Sequence, residues 1–151
     1  MEIPEEKYKE ILELMPIACV DLVIFYCGKI FLAKRINEPV KGQWFLPGGR
    51  IMKNEKLNDV VMRKAKEETG LDVKIIKPLM FDETMFNESS MKGVVSGVHT
   101  VNLVYLVEAK NNKVKLDAQN SEYKWIDIID ENWHPYVKRA ISSSGVLEGL
   151  N

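Results

Sequence analysis

The sequence lacks the features that mark several large classes of protein. Its longest unbroken apolar runs, residues 17–20 and 22–27, are far shorter than the roughly 20 residues of a membrane-spanning helix, so we expect no membrane association. The 21 Lys and Arg residues are balanced by 22 Asp and Glu residues, which leaves a net charge of −1 and no overall positive field for binding nucleic acid. An anionic ligand must therefore be bound by local charges.

Cysteine is also scarce, and no linker divides the chain. Cys19 and Cys27 fall in one predicted strand, where eight residues separate them by about 26 Å, too far for a disulfide. Two isolated thiols in apolar segments are predicted to fill the core. Because repeats and Pro/Gly/Ser-rich linkers are absent, we expect a single domain over residues 1–151. The acidic N-terminus carries no apolar segment, which predicts a cytoplasmic protein.

The spacing of apolar residues predicts both helices and strands. Helices are predicted over residues 4–15, 55–69 and 135–142. The second has Asn54 as its N-cap and Gly70 at the position where helices commonly end. Strands are predicted over residues 17–27, 30–33, 44–46, 73–81, 93–109, 114–116 and 123–126. Strands on either side of one central helix are typical of an α/β sandwich with a mixed sheet.

Two adjacent acids, Glu67 and Glu68, lie at the C-terminal end of the predicted central helix. The helix dipole disfavours negative charge at that end, and the two carboxylates repel each other. A divalent cation would relieve both effects. The alternative is that Arg63 and Lys64, one turn earlier, neutralise the acids on a solvated face.

The spacing around these acids resembles the Nudix box. Gly49, Glu55, Arg63 and the run Glu67-Glu68-Thr69-Gly70-Leu71 stand at the intervals of that motif. The resemblance implies the Nudix-type α/β/α sandwich with a mixed sheet. It also implies hydrolysis of a nucleoside diphosphate linked to another group, with Mg²⁺ as the cofactor and Mn²⁺ as the other candidate.

The same resemblance implies a division of roles within the box. Glu68, together with Glu67 and the main-chain carbonyl of Gly48, would surround the metal ion. Glu55 and Arg63 would form a structural pair that ties the loop to the helix. The box therefore implies one metal centre at the end of the central helix.

One position departs from the common pattern of the box. Lys64 stands where most Nudix boxes carry a glutamate that ligates metal or helps to activate water. A box without this glutamate is similar to the GDP-mannose mannosyl hydrolase subgroup, whose members attack the sugar carbon instead of phosphorus. The resemblance to this subgroup extends over residues 8–125. Outside the box, the similar parts are residues 16–21, 32–37 and 42–50, then His99, then Gln119 followed by residues 122–125.

Further site residues follow from the subgroup resemblance. Arg35 and Arg50, which flank the predicted Gly-Gly turn, are candidate clamps for the diphosphate. A guanidinium group can donate hydrogen bonds to two phosphate oxygens at once. Gln119 would be a neutral metal ligand. Asp21 and His99 would contact the substrate. Asp21 also interrupts an apolar strand, and a buried acid needs a polar partner in any fold.

A second departure concerns the general base. The subgroup has a histidine directly after the glutamine, whereas this chain has Asn120, which does not accept a proton at neutral pH. Attack at the sugar carbon with inversion needs a base for the water. The alternatives in this chain are Asp117, Glu122 and His99.

These residues lead to one main prediction and two alternatives. The main prediction is Mg²⁺-dependent hydrolysis of a nucleoside diphosphate sugar such as GDP-mannose at the sugar C1, with Glu67, Glu68, Arg35 and Arg50 as catalytic residues. The first alternative is a pyrophosphatase that attacks phosphorus in a nucleoside diphosphate derivative or nucleoside triphosphate. The second is a nucleotide-sugar-binding protein with weak or no turnover. The resemblance also implies a homodimer.

Overall fold

The computed structural model describes residues 2–148, in which three helices flank a seven-stranded mixed sheet. The helices are α1 Glu5–Leu14, α2 Leu57–Thr69 and α3 Pro135–Ser144. The strands are β1 Ile17–Tyr26, β2 Lys29–Arg35, β3 Trp44–Phe45, β4 Gly48–Arg50, β5 Val73–Phe86, β6 Val98–Ala109 and β7 Asn120–Ile126. Within residues 2–148, no helix combines the length and the apolar character that crossing a membrane requires.

The sheet is organised around β1, which has neighbours on both sides. On one side β6 runs parallel to residues 17–25, and β5 pairs antiparallel with β6 at the edge. On the other side β1 pairs with β4 over residues 19–21 and with β2 only over residues 25–26. β2 also pairs antiparallel with β3 and with β7. β1 and β2 therefore separate beyond their hairpin, and residues from both strands border the space between them.

Each face of the sheet carries its own apolar core. The face against α3 buries Val23 from β1 together with Tyr136 from the helix. The face against α2 buries Leu22 and Ile24 together with Val61. Because side chains alternate along a strand, β1 supplies both cores in turn. Helices on both faces of a mixed sheet make an α/β/α sandwich, which confirms the predicted fold class.

The central helix ends as predicted but begins later. At its end Gly70 has a φ of 72°, the left-handed conformation that glycine adopts without strain. The prediction of Asn54 as the N-cap is wrong, because α2 begins only at Leu57. Glu55 lies in a turn before the helix, where its carboxylate accepts a hydrogen bond from the Met52 N–H.

Two predictions about strands are also wrong. Residues 114–116 form no strand, because the Lys115 N–H donates to the Thr69 carbonyl at 2.8 Å and ties this segment to the end of α2. Conversely, the Gly-Gly pair predicts only a turn, yet Gly48–Arg50 forms β4. This short strand pairs with residues 19–21 of β1, and its position depends on that distant partner.

The prediction that both cysteines fill the core is wrong for Cys27. This residue follows β1 in the hairpin turn and is exposed, with a φ of 50°. Cys19 lies within β1 and is partly buried. Burial raises the pKa of its thiol to about 12, so the side chain is uncharged at neutral pH and behaves as an apolar group.

Candidate functional site

A cavity of about 310 Å³ lies where β1 and β2 separate. Residues from two helices and from the sheet line it, including Tyr8 of α1, Phe45 of β3 and Lys64 of α2. Five of the predicted site residues also line it: Asp21, Arg35, Gly48, Arg50 and Gln119. The fold therefore gathers predicted site residues that lie up to 98 positions apart, from Asp21 to Gln119, around one space.

Glu68 is the buried acid at the end of α2. Its side chain is 4% exposed, and Oε2 accepts a hydrogen bond from the backbone N–H of Gly48 at 2.6 Å. Burial raises the pKa of Glu68 to about 7, and the charge of Asp117 adds to this, whereas Lys64 and the Gly48 N–H oppose it. The bond ties the end of α2 to β4, so Glu68 lies directly behind the two glycines of that strand.

Gly48 has no space for a side chain. A Cβ there would lie 2.0 Å from Oδ1 of Asp21 and 2.3 Å from the Val20 carbonyl oxygen. The residue pairs directly with Asp21 in the register between β4 and β1. Close packing of β4 against β1 thus brings the Asp21 carboxyl and the Gly48 backbone together at the cavity wall.

Asp21 has the polar partner that its position requires. The hydroxyl of Tyr136 in α3 donates a hydrogen bond to its Oδ2. Burial raises the pKa of Asp21 to about 7, and the negative charge of Glu68 adds to this effect. Sequence reasoning missed Tyr136, because nothing local to residue 136 indicates a partner in the first strand.

Glu67 differs from Glu68 in its exposure. Its side chain is 49% exposed, and its Oε2 lies 3.2 Å from Nη1 of Arg63 and 3.3 Å from Nζ of Lys64. Arg63 also binds Glu55 through Nε at 2.7 Å and lowers the pKa of that carboxyl by hydrogen bonding. The pair between Glu55 and Arg63 therefore ties the loop to the helix. Arg63 and Lys64 neutralise Glu67, as predicted by the alternative in which these two cations balance the acids.

Lys64 lies between the two acids and Gly49 of β4. Its Nζ is 3.3 Å from Oε2 of Glu67 and 3.9 Å from Oε2 of Glu68, and its side chain is 12% exposed. The lysine also packs over Gly49, where a Cβ would stand 2.6 Å from Cε of Lys64. The position at which the box departs from the common pattern is thus part of the cavity wall.

The two predicted diphosphate clamps both reach the cavity. Nε of Arg35 donates to the Pro39 carbonyl at 2.9 Å, which orients the guanidinium. The guanidinium of Arg50 lies 5.3 Å from the centre of the Tyr8 ring, a cation–π contact. Within residues 2–148, neither arginine forms a salt bridge with a carboxylate, so both charges are available to an anion.

The segment around Gln119 brings one candidate base near the site. Gln119 is exposed at the cavity, and its N–H donates to Oδ1 of Asp117 at 3.1 Å. The same oxygen accepts from Nδ2 of the buried Asn120 at 3.0 Å. Neither Asp117 nor Glu122 lines the cavity itself, but Asp117 is partly buried and its charge acts on Glu68, whereas Glu122 is exposed on β7. Asp117 is therefore the better placed of the two acids.

His99 is not brought to the cavity. Its neighbours Val98 and Thr100 line the cavity, and alternation along β6 directs the intervening side chain to the other face. There Nε2 of His99 lies 3.7 Å from Oε2 of Glu83. The face of this residue depends on the register of β6, which the sequence does not reveal.

Carboxylate and carbonyl oxygens dominate the candidate metal site. Within the described part of the chain, residues 2–148, no three His, Cys, Asp or Glu side chains converge to hold a metal ion. Mg²⁺ is commonly bound by one or two carboxylates, with substrate phosphates and water completing its shell. The buried carboxylate of Glu68, the Gly48 carbonyl and the Gln119 amide are hard oxygen donors of this kind. The residues present therefore fit Mg²⁺ bound jointly with a phosphate ligand.

Comparison with known proteins assigns the family. The profile described as NUDIX domain matches residues 15–142. The chain belongs to the Nudix family. This Nudix protein is 36% identical over 141 residues to the low-salt glycan biosynthesis protein Agl8 of Haloferax volcanii, which covers 93% of this chain and 90% of that protein.

A second relative and a solved structure agree with this assignment. The chain is 31% identical over 129 residues to the ADP-ribose pyrophosphatase of Methanocaldococcus jannaschii, which covers 82% of this chain and 68% of that protein. The MutT Nudix hydrolase from Burkholderia pseudomallei has the same fold, with a TM-score of 0.70 at 23% identity over 85% of this chain and 98% of that one. The Nudix resemblance is confirmed, and hydrolysis of a nucleotide derivative is the supported class of activity.

Proposed function

We propose that this Nudix protein hydrolyses a nucleoside diphosphate sugar, with GDP-mannose as the candidate substrate and Mg²⁺ as the cofactor, and releases the nucleoside diphosphate and the free sugar. The position of Lys64 carries the proposal. The residue stands at the box position that usually holds a carboxylate, and its ammonium lies at the cavity against Glu67 and Glu68. A cation at this position does not activate water, but it does stabilise a departing diphosphate.

The arginines supply the rest of the positive charge that cleavage requires. Breaking the bond between the sugar C1 and the diphosphate oxygen transfers the bonding electrons to the diphosphate. Arg35 and Arg50 line the cavity, and among residues 2–148 neither has a carboxylate partner, so each guanidinium can donate to two diphosphate oxygens at once. A bound Mg²⁺ ion would act as a Lewis acid on the same diphosphate. Asp21, whose carboxyl accepts a hydrogen bond from Tyr136 at the cavity, is our candidate for contacting the sugar hydroxyls.

The attacking water needs a base on the side of the sugar opposite the leaving group. Asp117 is our candidate, because Gln119 and Asn120 both donate to its Oδ1 and so hold the carboxylate in one orientation. The water oxygen bonds to C1, and its proton passes to Asp117. These contacts support Asp117, which accepts a hydrogen bond from the cavity residue Gln119, over Glu122, which is exposed on β7, and over His99, which lies on the other face.

A second candidate function is attack at phosphorus. The chain retains both Glu67 and Glu68, and it is 31% identical to an ADP-ribose pyrophosphatase. In this alternative, a nucleoside diphosphate sugar would be cleaved to a nucleoside monophosphate and a sugar 1-phosphate. A nucleotide-sugar-binding protein without turnover is the third candidate, and it makes no use of the two acids.

One relative supports a sugar substrate, and the sequence adds expectations about location and oligomeric state. Similarity to a glycan biosynthesis protein supports a sugar substrate, because glycans are assembled from activated sugars. The proposal includes a single-domain cytoplasmic homodimer that binds neither nucleic acid nor membranes. Sedimentation velocity at several protein concentrations measures the oligomeric state directly.

The position of bond cleavage tests the proposed function. The protein is incubated with GDP-mannose and Mg²⁺ in ¹⁸O-water, and the products are analysed by mass spectrometry. We expect the label in free mannose, with unlabelled GDP. Label in GMP or mannose 1-phosphate would instead establish attack at phosphorus. Tight binding without products would favour the binding protein.

A further inference from the structure

The cavity has a charged side and a neutral side. Among residues 2–148, the charged side chains that line it come from β1, β2, β4 and α2, and they are Asp21, Arg35, Arg50 and Lys64. In the same range, β5 and β6 contribute only neutral side chains, namely Thr84, Phe86, Val98, Thr100 and Asn102. A diphosphate held by the arginines therefore leaves the β5–β6 side to an uncharged part of the same ligand.

Asn102 is a buried polar residue on this neutral side. It is 2% exposed and lines the cavity from β6. In the sheet it stands opposite Cys19 of β1 and Asp82 of β5. The carboxylate of Asp82 is occupied by the Glu83 N–H and by Nε of Arg139. Within the described part of the chain, residues 2–148, the side-chain amide of Asn102 forms no hydrogen bond.

The hydroxyl groups beside Asn102 are, in contrast, already paired. Thr84 and Thr100 stand opposite each other on β5 and β6, and their Oγ1 atoms form a hydrogen bond. The amide of Asn102 keeps two N–H donors and one carbonyl acceptor unused. A buried amide without partners destabilises the protein that carries it. A ligand that completes these hydrogen bonds explains why the amide is retained at the cavity wall.

The surroundings of this amide suit a flat heterocycle better than a sugar. Ile17 stands opposite Thr100, and Phe86 stands opposite Val98, so apolar side chains line the cavity beside Asn102. Proteins commonly bind a nucleobase with apolar groups on its faces and a few polar groups at its edge. A hexose carries hydroxyls all around its ring, and apolar walls would leave most of them without partners.

We propose that Asn102 determines specificity for the nucleobase. Its amide donates to one atom of the base edge and accepts from the adjacent one, while Arg35 and Arg50 hold the diphosphate. All nucleobases present such a neighbouring acceptor and donor on their pairing edge. This inference rests on the proposed function for the position of the diphosphate, and it extends that function to the opposite end of the nucleotide.

Calorimetric titration in the presence of Mg²⁺ tests the inference without turnover. The ligands are GDP, ADP, CDP, UDP and inorganic pyrophosphate. We expect at least one nucleotide to bind the wild type at least about tenfold more tightly than pyrophosphate does. Asn102→Leu keeps the branching of the side chain but removes its hydrogen-bonding groups. We expect this variant to lose about tenfold or more of that advantage, with an unchanged Kd for pyrophosphate.

Asn58→Leu is the matched control, because it makes the same chemical change at an exposed position on α2. We expect its Kd values to equal those of the wild type. Equal nucleotide affinities of Asn102→Leu and the wild type would overturn the inference. So would a loss of affinity for GDP-mannose without any loss for the four nucleotides, because the sugar would then lie at Asn102.

Thermal unfolding of the free protein separates a ligand contact from a structural role. Because the amide has no partner to lose, we expect the Tm of Asn102→Leu to equal or exceed that of the wild type. Asn102→Val, which is smaller and suited to a strand, repeats the comparison if leucine does not fit. A decrease in Tm of more than about 5 °C in both variants would show that the amide supports the fold and would refute the assignment.

The proposed function and this inference fail separately. If GDP-mannose is not hydrolysed but Asn102→Leu loses the preference for a nucleotide over pyrophosphate, the proposed function fails and the inference stands. If GDP-mannose is hydrolysed and Asn102→Leu retains that preference, the inference fails and the proposed function stands.

Discussion

The hydroxyl of Tyr136 donates a hydrogen bond to the carboxyl of Asp21, although the two residues lie 115 positions apart in the chain. This contact joins α3 to β1 directly behind the cavity. Burial raises the pKa of Asp21 to about 7, and it also raises the pKa of Tyr136, so the tyrosine remains a donor at every relevant pH. The last helix of the fold therefore orients an acid that the first strand supplies.

The raised pKa of Asp21 predicts a pH-dependent stability. Between the ordinary value of 3.8 and the folded value of about 7, the folded chain retains a proton that the unfolded chain releases. The contribution of Asp21 to stability is therefore fully present below pH 3.8 and is lost as the pH rises through 7. The unfolding free energy of the wild type is expected to decrease between pH 5 and 8. We expect this decrease to be smaller by about 1–3 kcal/mol in Asp21→Asn.

Urea unfolding in buffers that contain EDTA measures this effect without metal binding. Glu10→Gln is the control, because Glu10 is exposed on α1. We expect its pH profile to match that of the wild type. An unchanged profile for Asp21→Asn would show that this acid is not the group responsible.

Replacement of Glu68 by Gln is expected to separate folding from activity. The amide oxygen can still accept the hydrogen bond from the Gly48 N–H, so the connection between α2 and β4 is retained. The negative charge is lost, and with it the ligand that we propose for Mg²⁺. We expect kcat to fall at least about 100-fold, with little change in the circular dichroism spectrum. Kinetics equal to the wild type would refute this assignment.

Substitution of either arginine by lysine tests paired recognition of the diphosphate. Arg35→Lys and Arg50→Lys keep the charge but lose the planar fork that binds two oxygens at once. We expect kcat/KM to fall about 10- to 100-fold for each variant, which corresponds to about 1.4–2.7 kcal/mol. Arg139→Lys is the matched control, since Arg139 of α3 pairs with Asp82 of β5 and does not line the cavity. A loss of similar size in the control would indicate a general effect on folding.

Asp117→Asn tests the proposed base. The substitution keeps a side-chain oxygen that can accept from Gln119 and Asn120 but removes the group that takes the proton. We expect kcat to fall by about 10²–10⁴-fold, while the affinity for GDP measured by calorimetry changes little. Glu122→Gln provides the comparison, because Glu122 is an exposed acid five residues away. An equal effect of the two substitutions would exclude Asp117 as the base.

The sequence predicted best the parts of the site that lie close together in the chain. The interval from Gly49 to Glu68 runs without interruption from β4 through one loop into α2, so fixed spacing is enough to indicate the box and the end of α2 at Gly70. The failures involve distant partners. The Lys115 N–H binds the end of α2 instead of a strand, and Tyr136 reaches Asp21 from the last helix. Local periodicity contains no information about such contacts.

The packing of Lys64 over Gly49 means that these two positions do not evolve independently. A Cβ at position 49 would stand 2.6 Å from Cε of the lysine, so an alanine there forces the long side chain to move, whereas a short residue at position 64 leaves room for it. The effects of substitutions at positions in contact are not additive. The effect of a side chain at position 49 therefore depends on which residue stands at position 64, and the box spacing alone does not reveal that dependence.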